Sequence, residues 1–442
     1  MTLVFQPRDD VLSWGRAHRG RQSLGRPADA SELRAWAAVD KGPRLARGLG
    51  RSYGDSGLHA EGRLIDMTCL DRFRSFDAMT GLLRAQAGLS LDTLLKVTAP
   101  QGWFVPVTPG TRHVTLGGAV AHDVHGKNHS WAGTFGRHVR ALSLLRSDRG
   151  LIEITPQSDP ELFAATVGGM GLTGLIVEVT LQLTAIASTD LVVETLPLGG
   201  LDDFFALNLQ SLERFEQTVA WIDCAQRGSK LGLGVYTRAN WATDGGCVAQ
   251  GDRRGPSLPF EAPSFALNRV SLSLFNQAYR AVQLARPRRA RLAYGDVFYP
   301  LDAVQNWNRL YGRSGFYQYQ SVVPHQGGRE ALADMLRIIG RSGEGSPLVV
   351  LKTFGALASP GMLSFPRPGY TLALDFRNRG QATQALLARL DAVVRAAKGA
   401  LYPAKDGRMP RDMFALSFPQ AQRFLTYRDP ACGSDFLTRM GL

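Results

Sequence analysis

Cysteine is scarce in this chain, and the few copies do not cluster. Cys69, Cys224, Cys247 and Cys432 are four in 442 residues, with no CxxC pair, so neither a zinc ribbon nor a disulfide framework is expected. Long uncharged apolar runs are missing as well. The best one, Gly171 to Ser188, is broken by Glu178 and by polar residues, so no segment is expected to span a bilayer. The opening MTLVFQPRDD has no basic region followed by an apolar run, so no ordinary signal peptide is expected and cytoplasmic chemistry is the default. Acidic residues are outnumbered, 38 against 51 basic, for a net charge of +13. No recognisable DNA- or RNA-binding motif accompanies that charge, so no nucleic-acid partner is expected. Much of the excess is arginine spread along the chain, with one concentration at Arg286, Arg288, Arg289 and Arg291. That cluster reads either as a mobile, solvated loop or as a guide for peripheral contact with an anionic membrane. Internal repeats and long low-complexity tracts are absent.

What is present is a folded chain, 44% hydrophobic and 20% charged, too long for one ordinary core, so two large lobes are expected. Gly110 to Ser130, GTRHVTLGGAVAHDVHGKNHS, organises the rest. Gly117, Gly118 and Gly126 let backbone amides approach a ligand closely, and successive bare amides form an anion-binding concavity. Thr111, Thr115, His122, Asp123, Asn128 and His129 add hydrogen-bonding side chains. The stretch reads as a wall of a cofactor site. The spacing of His122, His125 and His129 also admits a metal, although glycines beside them suit a phosphate or a flavin better.

Upstream, Arg44 to Ser56 (RLARGLGRSYGDS) reads as a strand running into a glycine-lined phosphate loop, where Arg47 and Arg51 could neutralise a diphosphate. Gly169, Gly171 and Gly174 match G-x-G-x-x-G, but a helical pattern precedes them and a strand pattern, Leu175 to Leu183, follows. A dinucleotide fingerprint needs the reverse order, so that reading fails. Helices are expected at Ser31 to Ala38, Leu89 to Ala99 after the N-cap candidate Ser90, and Glu161 to Val167. After about Ala187 the character changes. Helical patterns at Leu201 to Phe215, Ser273 to Leu284, Leu301 to Tyr311, Arg329 to Arg341 and Ala382 to Ala397 alternate with strands. Those strands include Gly315 to Val323, Leu348 to Phe354 and Tyr370 to Phe376, whose alternation suits an antiparallel sheet with one face under helices. Period two puts Gln318 and Gln320 on one strand face. Lys352 lies in an apolar strand, where an unpaired ammonium would be costly.

Four blocks carry a family resemblance: ARGLGRSYGDS (46–56), PGTRHVTLGGAVAHDVHGKNH (109–129), VGGMGLTG (167–174) and YPAKDGR (402–408). The chain resembles the vanillyl-alcohol-oxidase-like flavoproteins with a PCMH-type FAD-binding domain. The resemblance implies a two-lobed α+β fold, with an FAD-binding domain over 1–187, a substrate domain with an antiparallel sheet over 188–399, and a C-terminal segment, 400–442, returning to the FAD domain. It implies that Arg47, Gly48, Leu49, Gly50, Arg51, Ser52 and Tyr53 line the diphosphate loop. Gly110, Thr115, Gly117, Gly118, His122, Asp123 and His125 would line the flavin, with Ile176 and Tyr402 as further contacts. Lys405, Tyr53 and His125 would be the catalytic group, and Lys127, Gln318, Gln320, Lys352 and Lys405 the substrate contacts, with no metal.

Many relatives attach the flavin through a histidine in the diphosphate loop; Arg51 stands there, so FAD is expected to be non-covalent. The members most similar in these blocks oxidise the 2-hydroxyl of a polyprenylphosphoryl-β-D-ribose to the 2-keto sugar. An NAD(P)H-dependent partner keto-reductase then completes epimerisation to the arabinose form for the cell envelope. Such members carry a cysteine where this chain has Ala373, so the chemistry is expected to survive and thiol-directed inhibition is not. Two other functions stay open: oxidation of a free sugar, alditol or aldonolactone by the same cofactor, and a flavin-free basic binding protein.

Overall fold

The computed structural model describes residues 3–250, 255–263 and 267–442, and it is an α+β fold built on three principal sheets. The N-terminal half carries two. A four-stranded sheet takes Arg44–Arg47 and Arg63–Asp66 as parallel neighbours, with Gln22–Gly25 and then Phe5–Arg8 on the other side. A five-stranded antiparallel sheet runs Phe73–Asp77, Leu82–Gln86, Leu175–Gln182, Val139–Arg146, Gly150–Ile154. Local signals work as read: Ser90 caps Leu91–Thr98 by accepting the Thr93 N–H, and the helix buries Leu91, Leu94 and Leu95.

The third sheet has eight strands, all antiparallel to their neighbours. Helices Gly328–Ser342 and Gln381–Ala396 cover one face with apolar stripes that include Leu332, Leu336, Ile339, Leu386 and Leu390. These meet Leu351, Leu372, Leu374 and Phe376 in one core, where each fully buried side chain contributes about 1.5–3 kcal/mol. Period two then fixes the other face. Register sets Gln318 opposite Asp375, Gln320 opposite Ala373, and Lys352 opposite Thr371. Because the helices take the apolar positions, this polar row is left facing the N-terminal half.

The C-terminal segment ties the halves together. Ala400–Leu401 adds an edge strand beside Phe316–Val323. Then the Tyr53 N–H donates to the Ala404 carbonyl at 2.9 Å, and the Arg44 N–H to the Ala431 carbonyl at 2.8 Å. Arg439 pairs with Asp55 at 2.7 Å and Asp406 at 2.9 Å.

Two expectations need correction. Leu301 to Tyr311 is not one helix but two 3₁₀ segments, Pro300–Ala303 and Trp307–Tyr311, because Asn306 between them turns left-handed at φ 53°. The arginine cluster is a loop only in part, with Arg286 and Arg288 exposed between a helix and a strand. Arg289–Ala293 is an edge strand paired with Asp190–Leu198, and Arg291 is held by Asp190 and Asp244 at 2.8 and 2.7 Å.

Candidate active site

A cavity of 1240 Å³ lies between the glycine-rich segments of the N-terminal half and the polar face of the eight-stranded sheet. Strand Arg44–Arg47 delivers the chain to its first wall, the loop 48–57. Glycine is required there for contact as much as for conformation. A Cβ on Gly48 would fall 2.3 Å from Thr115 Oγ1, and Gly50 has φ +63°. Thr115 itself caps Leu116–Ala121, accepting the Gly118 N–H at 3.2 Å. Gly110, Gly117, Gly118, Leu49, Ser52 and Ile176 line the same cavity.

Both loop arginines line the cavity, and each is also held by the protein itself. Arg47 lines the cavity but donates to the carbonyls of Gly57 at 2.9 Å and Leu12 at 2.7 Å, so its guanidinium braces the loop. Arg51 lies over the Trp14 ring at 4.2 Å and donates to the Leu49 carbonyl at 3.0 Å.

His122 is on the wall, its Nε2 2.7 Å from Ser52 Oγ, and burial lowers its pKa to about 4. Its Nδ1 is buried without a partner among the described residues. The Tyr402 hydroxyl donates to the His122 carbonyl at 2.9 Å, and the Tyr402 ring stacks on Phe365. An unpartnered ring nitrogen beside bare glycines suits a flat, polar cofactor such as a flavin.

Asp123 is the exception among the expected contacts and does not line the cavity. At φ 38° its side chain turns inward, accepting the Gly136 N–H at 2.8 Å and the Ser364 hydroxyl at 2.5 Å. It is fully buried, which raises its pKa to about 6. The three histidines do not converge either. His125 faces Gln320 and Lys352, and His129 Nδ1 accepts the Gly355 N–H. No group of metal-ligating side chains occurs among the described residues.

At the sheet end, three half-buried lysines share the cavity. Lys352 Nζ lies 3.2 Å from His125 Nδ1 and donates to the Gly126 carbonyl at 3.2 Å. Lys127 donates to the Val297 carbonyl, and Lys405 sits 3.9 Å over the Tyr53 ring. Burial lowers Lys127 to about 8; for Lys352, burial and repulsion from Lys127 and Lys405 lower it to about 7. Lys405 is lowered by burial to about 8, against the pull of Asp375. Burial, then Lys352, His129 and Lys405, keep His125 well below its ordinary value, hence neutral; burial raises Tyr53 well above its own. Gln320 bridges His125 at 3.0 Å and Thr371 at 3.2 Å, and Gln318 donates to Asp375 at 2.7 Å.

The sign of the pH dependence follows. Each lysine is cationic below its own pKa and neutral above it, so the affinity for an anionic ligand should be greatest below about pH 7. It should weaken as pH rises through 7 to 8. The measurement is KM against pH for a phosphorylated substrate, beside a neutral polyol whose KM should stay flat.

Asp375 and Trp14 were missed. Asp375 shares the face of Ala373 at period two, a usable signal; it accepts from Gln318 and from the Tyr311 hydroxyl at 3.1 Å, and burial raises it to about 6. Trp14 in VLSWGR gave none. Gly171 and Gly174 also line the cavity, although they are no dinucleotide fingerprint.

A glycine-walled cavity roofed by an antiparallel sheet, with lysines and amides at the roof, defines an FAD-binding oxidoreductase. In agreement, residues 24–155 match the FAD binding domain family. The chain is 34% identical to the decaprenylphosphoryl-beta-D-ribose oxidase of Mycolicibacterium smegmatis, over 98% of its own length and 97% of the relative's. An uncharacterised Streptomyces coelicolor protein is 33% identical over 80% of the chain and 100% of its own length. The mitochondrial L-galactono-1,4-lactone dehydrogenase of Brassica oleracea is 26% identical over 39% of the chain and 29% of its own. The chain belongs to the decaprenylphosphoryl-β-D-ribose oxidase family, and its cofactor is FAD.

Proposed function

We propose that this enzyme oxidises the 2-hydroxyl of a polyprenylphosphoryl-β-D-ribose to the 2-keto sugar. The observation that carries the reading is the trio of half-buried lysines in one cavity, a density of positive charge that a neutral sugar does not require. Bound FAD supplies the hydride acceptor. We assign Lys127 and Lys352 to the phosphate, and Gln318 and Gln320 to the sugar hydroxyls. Lys405 Nζ, with its pKa lowered to about 8 so that a fraction is neutral near pH 7, orients the reacting hydroxyl and, as the neutral amine, takes up its proton. Tyr53 and neutral His125 fix the lysines and exclude water around them. Gly48, Gly50, Gly117, Gly118, His122 and Tyr402 hold the flavin in this reading, and Arg51 leaves it without a covalent bond.

The domain limits 1–187, 188–399 and 400–442 belong to the same proposal, as does a partner keto-reductase that consumes the 2-keto product. A free lactone or alditol is a weaker alternative, since the lactone dehydrogenase likeness covers 39% of the chain. The test is anaerobic bleaching of the flavin absorbance by a panel of polyprenylphosphoryl pentoses and simple polyols. The phosphoryl ribose should bleach it, and bleaching by polyols alone would overturn the assignment. Acid denaturation should release the yellow chromophore into solution.

A further inference from the structure

The helix Arg269–Ala285 carries apolar residues on its outward face as well as its inward one. Its inward face buries Leu272 beside polar anchors. Asn276 donates to the buried Asp223 carboxylate at 2.6 Å, and Arg280 reaches the Gly234 and Leu198 carbonyls. Its outward face is apolar. Val270, Leu274, Ala278, Ala281, Val282 and Ala285 are all exposed, with Val270 at 68%, Leu274 at 63% and Val282 at 54%. Their spacing of three and four residues puts them on one stripe, and Gln277 is the polar residue beside it. A solvated helix turns such a stripe to the core; here the stripe faces out.

Charge says what covers it. The sequence has no acidic residue between Glu261 and Asp296 and six arginines. Arg269 opens the helix, and Arg286, Arg288 and Arg289 stand exposed just past its end. Two copies facing each other through this surface would set these arginines against one another, whereas an anionic bilayer would neutralise them. The same helix also reaches the site. Phe275, Tyr279, Gln283 and Arg286 line the cavity that holds the three lysines, and Tyr279 packs on Trp221 at 4.8 Å. Among the described residues no helix is long and apolar enough to cross a membrane, so any such contact is peripheral.

We propose that the outer face of Arg269–Ala285 is an interfacial helix. It lies in the headgroup layer of an anionic bilayer and opens the cavity toward lipid-linked substrate held there. The proposal rests on the lipid-linked reading given above, but its test is made without substrate. The full-length, FAD-loaded enzyme is floated with vesicles of phosphatidylcholine and phosphatidylglycerol in equal parts, and with phosphatidylcholine alone, at ~0.15 M salt.

It should float with the anionic vesicles and about tenfold less with the neutral ones. The double variant Leu274→Glu, Val282→Glu should lose about tenfold of the bound fraction, with an unchanged flavin spectrum. Its flavin should still bleach normally with a water-soluble, short-prenyl phosphoryl ribose. Arg288→Gln with Arg289→Gln should lower the preference for anionic over neutral lipid. Absence of the wild type from anionic vesicles, or flotation of the glutamate variant like wild type, would overturn the proposal. So would self-association through this face, seen as a concentration-dependent sedimentation coefficient that the glutamate variant abolishes while vesicles go unbound. Flotation without bleaching by phosphoryl ribose would instead retain the membrane surface and remove the substrate assignment.

Discussion

Replacing Lys405 by methionine should slow substrate-driven flavin reduction by about 100- to 1000-fold, within the usual cost of deleting a positioned general base, while FAD remains bound. The side chain is held by its backbone as well as by its charge. The Lys405 N–H donates to the Tyr402 carbonyl at 3.0 Å, and Ala404 beside it accepts from Tyr53. Methionine matches the length and removes the amine, so the fold should persist; taking away a group that is cationic below about pH 8 also relieves Lys352. The Lys352 pKa, lowered in part by Lys405, should therefore rise, and the fall in phosphate affinity with pH should move to higher pH. Arginine should not rescue the rate, because a planar guanidinium neither fits a point-charge site nor gives up a proton. Anaerobic stopped-flow absorbance gives the rate, and KM against pH gives the shift. A variant within a few-fold of wild type would remove Lys405 from the chemistry.

Gly54→Ala should be the most damaging single methyl in the protein's cofactor loop. The added Cβ would lie 1.4 Å from the Asp406 carbonyl oxygen, 2.4 Å from its carbon and 2.8 Å from Gly407 Cα. These are backbone atoms, so no side chain can swing away. The segment bearing Lys405 must lift from the loop, which breaks the bond between Tyr53 and Ala404 and strains the Arg439 pairs with Asp55 and Asp406. Overpacking of this kind costs about 1–3 kcal/mol or more, and here it opens the wall of the site too. Chemical denaturation should show the stability loss, and flavin titration should show FAD affinity lost with it. Gly57→Ala in the same loop is the control. Its Cβ would meet nothing nearer than Arg47 Nη1 at 4.0 Å, so stability should change little. Equal behaviour of the two variants would mean that the contact is not what holds the loop.

Much of this site could be read along the chain because its chemistry is local. Glycines at 48, 50, 117 and 118 announce a backbone that comes close to something, and alternation along FYQYQSVV puts both glutamines on one face. What could not be read depends on partners distant in sequence or on a single dihedral. Asp123 sits among cavity residues, yet a left-handed turn sends it inward to Ser364. Arg47 looks free for a phosphate until Leu12 and Gly57 claim it. Arg289 to Ala293 reads as solvated charge because the sequence does not reveal that the edge strand Asp190–Leu198 is waiting, with Asp190 to pair Arg291. Pro300 and Asn306 interrupt an otherwise helical pattern, and their effect outweighed the apolar spacing. The outward stripe of Arg269–Ala285 shows the same limit: periodicity reports a helix with two unlike faces, not which face turns to solvent.

Asp55 in the cofactor loop and Arg439, which grips it, are 384 residues apart. A nascent chain emerging from the ribosome therefore displays its glycine-rich pocket long before the segment that shuts it has been made. Complete closure of the cofactor loop must wait for synthesis of the stretch that carries Arg439.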